Sequence, residues 1–123
     1  GLGCYSVEDI EVPTCPVGLL NIDANNKILK GGESGLIENG FHDVIVLNNG
    51  HNHLYNCGTA TVSSLYIDEH DRLINTGNLT FEGSHLNNRM MSIVNYGAMT
   101  IDMSMLDTIS CEIINYGTLN FSA

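Results

Sequence analysis

The amino-acid sequence predicts an all-β fold: a single-stranded, right-handed β-solenoid (β-helix) of about six coils, with roughly 17–20 residues per coil. Three observations carry that expectation. Fifteen Asn and 13 Gly make up 28 of the 123 residues, beside two Pro and no Trp. Asn and Gly both weaken helix interiors, so a helical architecture does not fit. A nine-residue element recurs without gaps at 54–62, 73–81, 93–101 and 113–121, anchored on Asn56, Asn75, Asn95 and Asn115. Each copy ends in period-two alternation, with Leu79 and Phe81 against Thr80, Met99 and Ile101 against Thr100, and Leu119 and Phe121 against Asn120.

Residues 1–18 contain Cys4, Pro13, Cys15 and Pro16 and fall outside the repeat. They read as an N-terminal cap closed by a Cys4–Cys15 disulfide. The coils occupy 19–123, beginning with two fainter copies around Leu19-Leu20-Asn21 and Leu36-Ile37-Glu38-Asn39-Gly40. In the regular copies, apolar residues precede the Asn and form one strand. Asn-x-Gly then bends the chain, with Gly58, Gly77, Gly97 and Gly117 expected at positive φ. A second short strand follows, and the other ten or so residues of each period close the coil.

The anchoring Asn residues are spaced by 19, 20 and 20 residues. That period is too short for an antiparallel blade or a helical repeat, and it suits one solenoid coil. Coils stacked at about 4.8 Å place equivalent residues above one another, giving a rod about 30 Å long. Columns of Leu, Ile, Met and Phe then fill the interior. Asn56, Asn75, Asn95 and Asn115 are expected to point inward as an amide ladder, each carbonyl accepting from its neighbour's NH2 group.

Cys57 and Cys111 lie nearly three coils apart, about 14 Å at that rise, and so should not bond each other within one chain. Free buried thiols are expected there, with a bond between chains as the alternative. No zinc-binding spacing of Cys and His occurs. The even cysteine count favours an oxidising, extracellular location. Asn78-Leu-Thr80 and Asn120-Phe-Ser122 add two N-glycosylation acceptors, at Asn78 and Asn120.

The chain carries 14 acidic residues against 4 basic ones, a net charge of −10. Nucleic-acid binders and anionic-membrane anchors need clustered cations, so neither partner is expected. No apolar stretch approaches the roughly 18 residues that would span a bilayer.

The elements Ile-Val-Asn95-Tyr-Gly97-Ala-Met-Thr-Ile and Ile-Ile-Asn115-Tyr-Gly117-Thr-Leu-Asn-Phe resemble coils in the N-terminal β-helix of hyphally regulated cell-wall adhesins of yeasts. They are also similar to the repeats of filamentous-haemagglutinin-type bacterial surface proteins. The resemblance covers 54–121 and implies a non-catalytic solenoid displayed at, or forming, a surface.

Candidate chemistry is sparse. His42, His51 and His53 are weak candidates for a metal site, against a commoner role as neutral surface residues. Asp68-Glu69-His70-Asp71-Arg72 reads as a solvated corner loop. Polysaccharide-cleaving β-helices converge carboxylates on a groove. Here Lys27, Lys30, Arg72 and Arg89 are scattered, and nothing sets Asp102 and Asp107 into a cleft. The expectation is therefore no enzyme and no cofactor. The column Thr61, Thr80, Thr100 and Asn120 hints at ice binding but is one residue wide, beside the mixed column Thr59, Asn78, Ala98 and Thr118. Tyr96 and Tyr116 are placed to stack on a sugar, a partner or their own coil edge. The last strand carries no charge and no cap after it. That leads to the expectation of an extracellular structural subunit whose unlike ends join head to tail into a fibre or coat. A cell-surface adhesin engaging surface glycans is the alternative.

Overall fold

The computed structural model describes residues 5–7, 11–82, 85–86, 90–102 and 110–122. Among them the chain forms strands and turns, and no helix. One parallel sheet contains β2 (Leu20–Ile22), β4 (Ser34–Ile37), β6 (His53–Asn56), β8 (Asp71–Asn75), β11 (Met90–Asn95) and β13 (Ser110–Asn115), stacked in chain order. The second contains β3 (Ile28–Leu29), β5 (Gly40–Leu47), β7 (Thr59–Ile67), β9 (Asn78–Phe81), β12 (Ala98–Asp102) and β14 (Thr118–Ser122), in the same order. A short β10 (His85–Leu86) pairs with β7 off this path. The chain thus alternates between the sheets tier by tier, which is a parallel β-solenoid.

Register follows the repeat. Asn56, Asn75, Asn95 and Asn115 are direct partners on successive strands. Leu54, Leu73, Ile93 and Ile113 form an inward column beside them, all essentially sealed from solvent. From the second sheet, Ala60, Leu79 and Met99 form one core column, and Val62 and Phe81 belong to another with Ile101. Stacking like on like removes whole apolar columns from water, the main favourable term in folding.

β5 and β7 do more than one straight strand could. Their buried residues are His42, Ile45 and Leu47, and Ala60, Val62, Leu65 and Ile67. The alternation slips by one residue near Asp43–Val44 and near Ser63–Ser64, and the two slips lie in register, since Val44 pairs with Ser64. A matched slip turns the sheet and brings a third side, with β3 and β10, onto the core.

The fainter copies fold with a different register from the regular ones. Leu36 pairs with Tyr55, a register that puts Ile37, and not Asn39, level with Asn56, and Ile22 pairs with Ile37. Asn21 and Asn39 are exposed. Burial of an aliphatic side chain decides the alignment of these coils, because no ladder of amides exists there to hold an Asn inside.

The described residues of 1–18 lie in two places. β1 (Tyr5–Val7) lies at the far end of the first sheet, parallel to β13, with Tyr5, Ser6 and Val7 opposite Ile113, Ile114 and Asn115. Residues 11–19 then return along the flank to β2. Six strand spacings separate β1 from β2, about 29 Å, which the thirteen Cα–Cα steps from Val7 to Leu20 span easily at up to about 45 Å extended. The arm is fastened midway by a disulfide between Cys15 and Cys57, with Cα atoms 6.0 Å apart. The expected Cys4–Cys15 bond is thereby corrected, as is the expectation of a free thiol at Cys57. The arm crosses the corner that carries Cys57, which brings together cysteines 42 residues apart in sequence. Closing a loop of that length stabilises the fold by about 4 kcal/mol in the chain-entropy account. Cys4 and the Cys111 side chain lie outside the described residues.

Candidate functional site

The corner between the two sheets is built from Asn-x-Gly. Asn56 Nδ2 donates to Asn75 Oδ1 at 2.8 Å, Asn75 Nδ2 to Asn95 Oδ1 at 2.8 Å, and Asn95 Nδ2 to Asn115 Oδ1 at 2.7 Å. Each amide also donates to the carbonyl two residues on and, where a next tier exists, to that tier: Asn75 Nδ2 reaches Gly77 O and Ala98 O, and Asn95 Nδ2 reaches Gly97 O and Thr118 O. All four side chains point inward and are almost fully buried. A buried amide is stable only when its donors and acceptors are matched, and here the tier above supplies the match. The first rung is the exception. Asn56 Oδ1 is buried with no hydrogen-bond partner, because Ile37 occupies its column in the tier before.

The turn glycines serve a purpose other than the one expected. None of Gly58, Gly77, Gly97 and Gly117 has positive φ. Backbone hydrogen bonds continue around the corner, from Asn78 N to Gly58 O, Ala98 N to Gly77 O and Thr118 N to Gly97 O, each 2.8 Å. This draws the stacked corners so close that a Cβ on Gly77 would sit 2.0 Å from Gly58 O, and one on Gly97 2.1 Å from Gly77 O. Proximity, not dihedral freedom, demands glycine.

The outer face of the first sheet carries a second apolar column, Tyr55, Ile74, Val94 and Ile114. Ile74 and Val94 are only 8% and 7% exposed although they point away from the core. The arm explains this. Pro13, Thr14 and Pro16 share a cavity of about 230 Å³ with Tyr55, Arg72, Ile74, Thr76, Val94 and Tyr96. Prolines suit a segment that lies across a sheet face, because they lack the N–H that would compete for an edge. Two consecutive apolar residues per coil (Leu73-Ile74, Ile93-Val94) were the signal that this sheet is covered on both sides.

The opposite corner is held by changing chemistry. Asp71 is buried and accepts from Asn52 N, Asn52 Nδ2 and Asp68 N at 2.8–3.1 Å, while Asn52 Oδ1 accepts from Glu33 N. The predicted solvated loop at 68–72 is thus corrected at Asp71, which starts β8 inside the fold; Glu69, His70 and Arg72 are exposed. Asn49, His51 and His70 take positive φ in these turns.

The three candidate histidines are not brought together. His42 is buried in the core column of Val62, its Nε2 2.6 Å from Glu38 O. His51 stands on the corner, stacked on His70 with ring centroids 5.2 Å apart. His53 is exposed on the outer face of the first sheet, in register with Arg72. Among the described residues no three His, Cys, Asp or Glu side chains are grouped to hold a metal ion. Thr61, Thr80, Thr100 and Asn120 do align on the second sheet's outer face, as do Thr59, Asn78, Ala98 and Thr118. Asn78 and Asn120, the two glycosylation acceptors, are exposed on that face. Tyr96 and Tyr116 stack on each other with centroids 5.0 Å apart, and Tyr96 also lines the flank cavity.

These features define the chain as a parallel β-solenoid with a returning, disulfide-fastened N-terminal arm. No family model, curated protein or solved structure matches it. Among the described residues no helix is long and apolar enough to cross a membrane.

Proposed function

We propose that this chain is a non-enzymatic, extracellular structural solenoid whose copies stack end to end into a fibre or surface coat. The observation that carries this reading is the β2–β3 end. Among the described residues no strand pairs with the outer edge of β2 or β3, and Leu20 and Ile28 there are 44% and 46% exposed. A bare parallel edge with exposed aliphatic residues is a template for strand addition from another chain. A contact between unlike ends repeats without closing, and the charge of −10 opposes sideways clumping. The Cys15–Cys57 disulfide supports an oxidising location. Light scattering and electron microscopy of the purified chain test the reading. Unbranched rods are expected, and Leu20→Lys, which puts a charge on the bare edge, should shorten or abolish them. A strictly monomeric solute at every concentration would overturn it.

A second reading, a surface adhesin, draws on the resemblance to yeast wall adhesins and on one local feature. The flank cavity joins the rings of Tyr55 and Tyr96 to Arg72, whose side chain has no hydrogen-bond or ion-pair partner among the described residues. Aromatic surface beside a few polar groups is how small-molecule sites are lined. Binding of the monomer to a glycan array, lost in Tyr96→Ala, would favour it.

A further inference from the structure

We propose that β1 is a displaceable plug, seated on the edge of β13 where β2 of a second copy docks when copies stack. The inference rests on the stacking reading above and adds what controls it.

β1 is out of sequence in its sheet. Every other strand there sits beside its neighbour in chain order, whereas β1 crosses the length of the solenoid to reach the last one. It matches β2 in the features that set pairing. Both are three residues long and alternate apolar-polar-apolar, Tyr5-Ser6-Val7 and Leu20-Asn21-Ile22. Both put an aliphatic residue in the column of the Asn ladder: Val7 is opposite Asn115, and Ile22 is opposite Ile37, which is itself below Asn56. Both run parallel to the strand they cover. The chain's own arm and the first tier of a neighbour are therefore rivals for one edge.

The plug is an edge strand. Its described pairing covers Ile113, Ile114 and Asn115 of β13. A strand paired with one neighbour among the described residues opens before the strands inside the sheet. Among the described residues β1 also extends the first sheet by one strand with no matching strand beyond β14 in the second. A neighbour's first tier would instead bring both β2 and β3. The Cys15–Cys57 bond keeps the arm attached when β1 lets go, so the plug returns at high effective concentration and the edge stays guarded in dilute protein.

The test is the double variant Ser6→Pro/Val7→Pro in the full chain. Alternate residues of a parallel strand face the partner, so one of two adjacent prolines must delete a ladder hydrogen bond. The concentration at which scattering rods appear should fall about tenfold relative to wild type, the effect of roughly one lost hydrogen bond. Rods at the same concentration in both proteins would overturn the plug while leaving stacking intact. Rods in neither would overturn both. Far-UV circular dichroism checks that the variant folds. Independently of it, an excess of a synthetic peptide of residues 1–10 should raise the assembly threshold of the wild-type chain, and a peptide without effect would also overturn the plug.

Discussion

Two corners of the solenoid solve one problem in opposite ways. At the Asn-x-Gly corner, four tiers carry the same amide and the same glycine, so each rung is completed by an identical neighbour. At the other corner the work passes from Glu33 to Asn52 to Asp71, with positive-φ residues making turns that differ from tier to tier. Repetition makes the first corner cooperative along the axis. Variety makes the second a set of local junctions.

The sharpest way to break that contrast is Gly77→Ala. The added methyl would meet the Gly58 carbonyl oxygen at 2.0 Å and the Cys57 and Gly58 carbonyl carbons at 2.9 Å, all backbone atoms that cannot swing aside as a side chain would. A loss of more than about 4 kcal/mol, read as failure to fold in thermal or urea denaturation, is expected. A loss under 1 kcal/mol would mean that the corners are not tightly stacked. Next comes Asn75→Ala, which removes a rung bonded on both sides and leaves Asn56 Nδ2 and Gly77 N short of an acceptor. About 3 kcal/mol is expected, against about 1 kcal/mol for Asn115→Ala, whose side chain ends the ladder. Equal losses at the two positions would show that the rungs act singly. Asp71→Ala strips the acceptor from Asn52 and Asp68, and about 2–3 kcal/mol is expected. Its effect should stay local: amide exchange should rise near 48–53 and 68–71 and remain unchanged at the Asn corner. Exchange rising equally at both corners would erase the distinction drawn between them.

Much of the regular part was legible because a solenoid writes its contacts into the chain as a period. Asn75, Asn95 and Asn115 recur because each needs the same partner at the same height. The same logic misled at two points. The glycines were assigned to positive φ, the usual local reason, whereas close approach between tiers requires them, and no single coil contains that fact. In the first coils the visible Asn21 and Asn39 attracted the alignment, whereas Ile22 and Ile37 set it by burial. The histidines showed the limit for the candidate site. Spacing placed His51 and His53 near each other, but the strand phase sends one to a corner and the other to a sheet face.

Taken alone, the sequence determined the all-β class, the tier-by-tier stacking and the inward amide ladder, because each follows from like residues meeting like at a constant interval. Tertiary structure decided the places of residues 5–7 and 11–19, the Cys15–Cys57 bond and the strand that sits on β13. The physical reason is that the arm occurs once. Its partners are an apolar column, a corner and an edge contributed by different coils, and a segment that docks by such distant contacts leaves no periodic trace of where it goes.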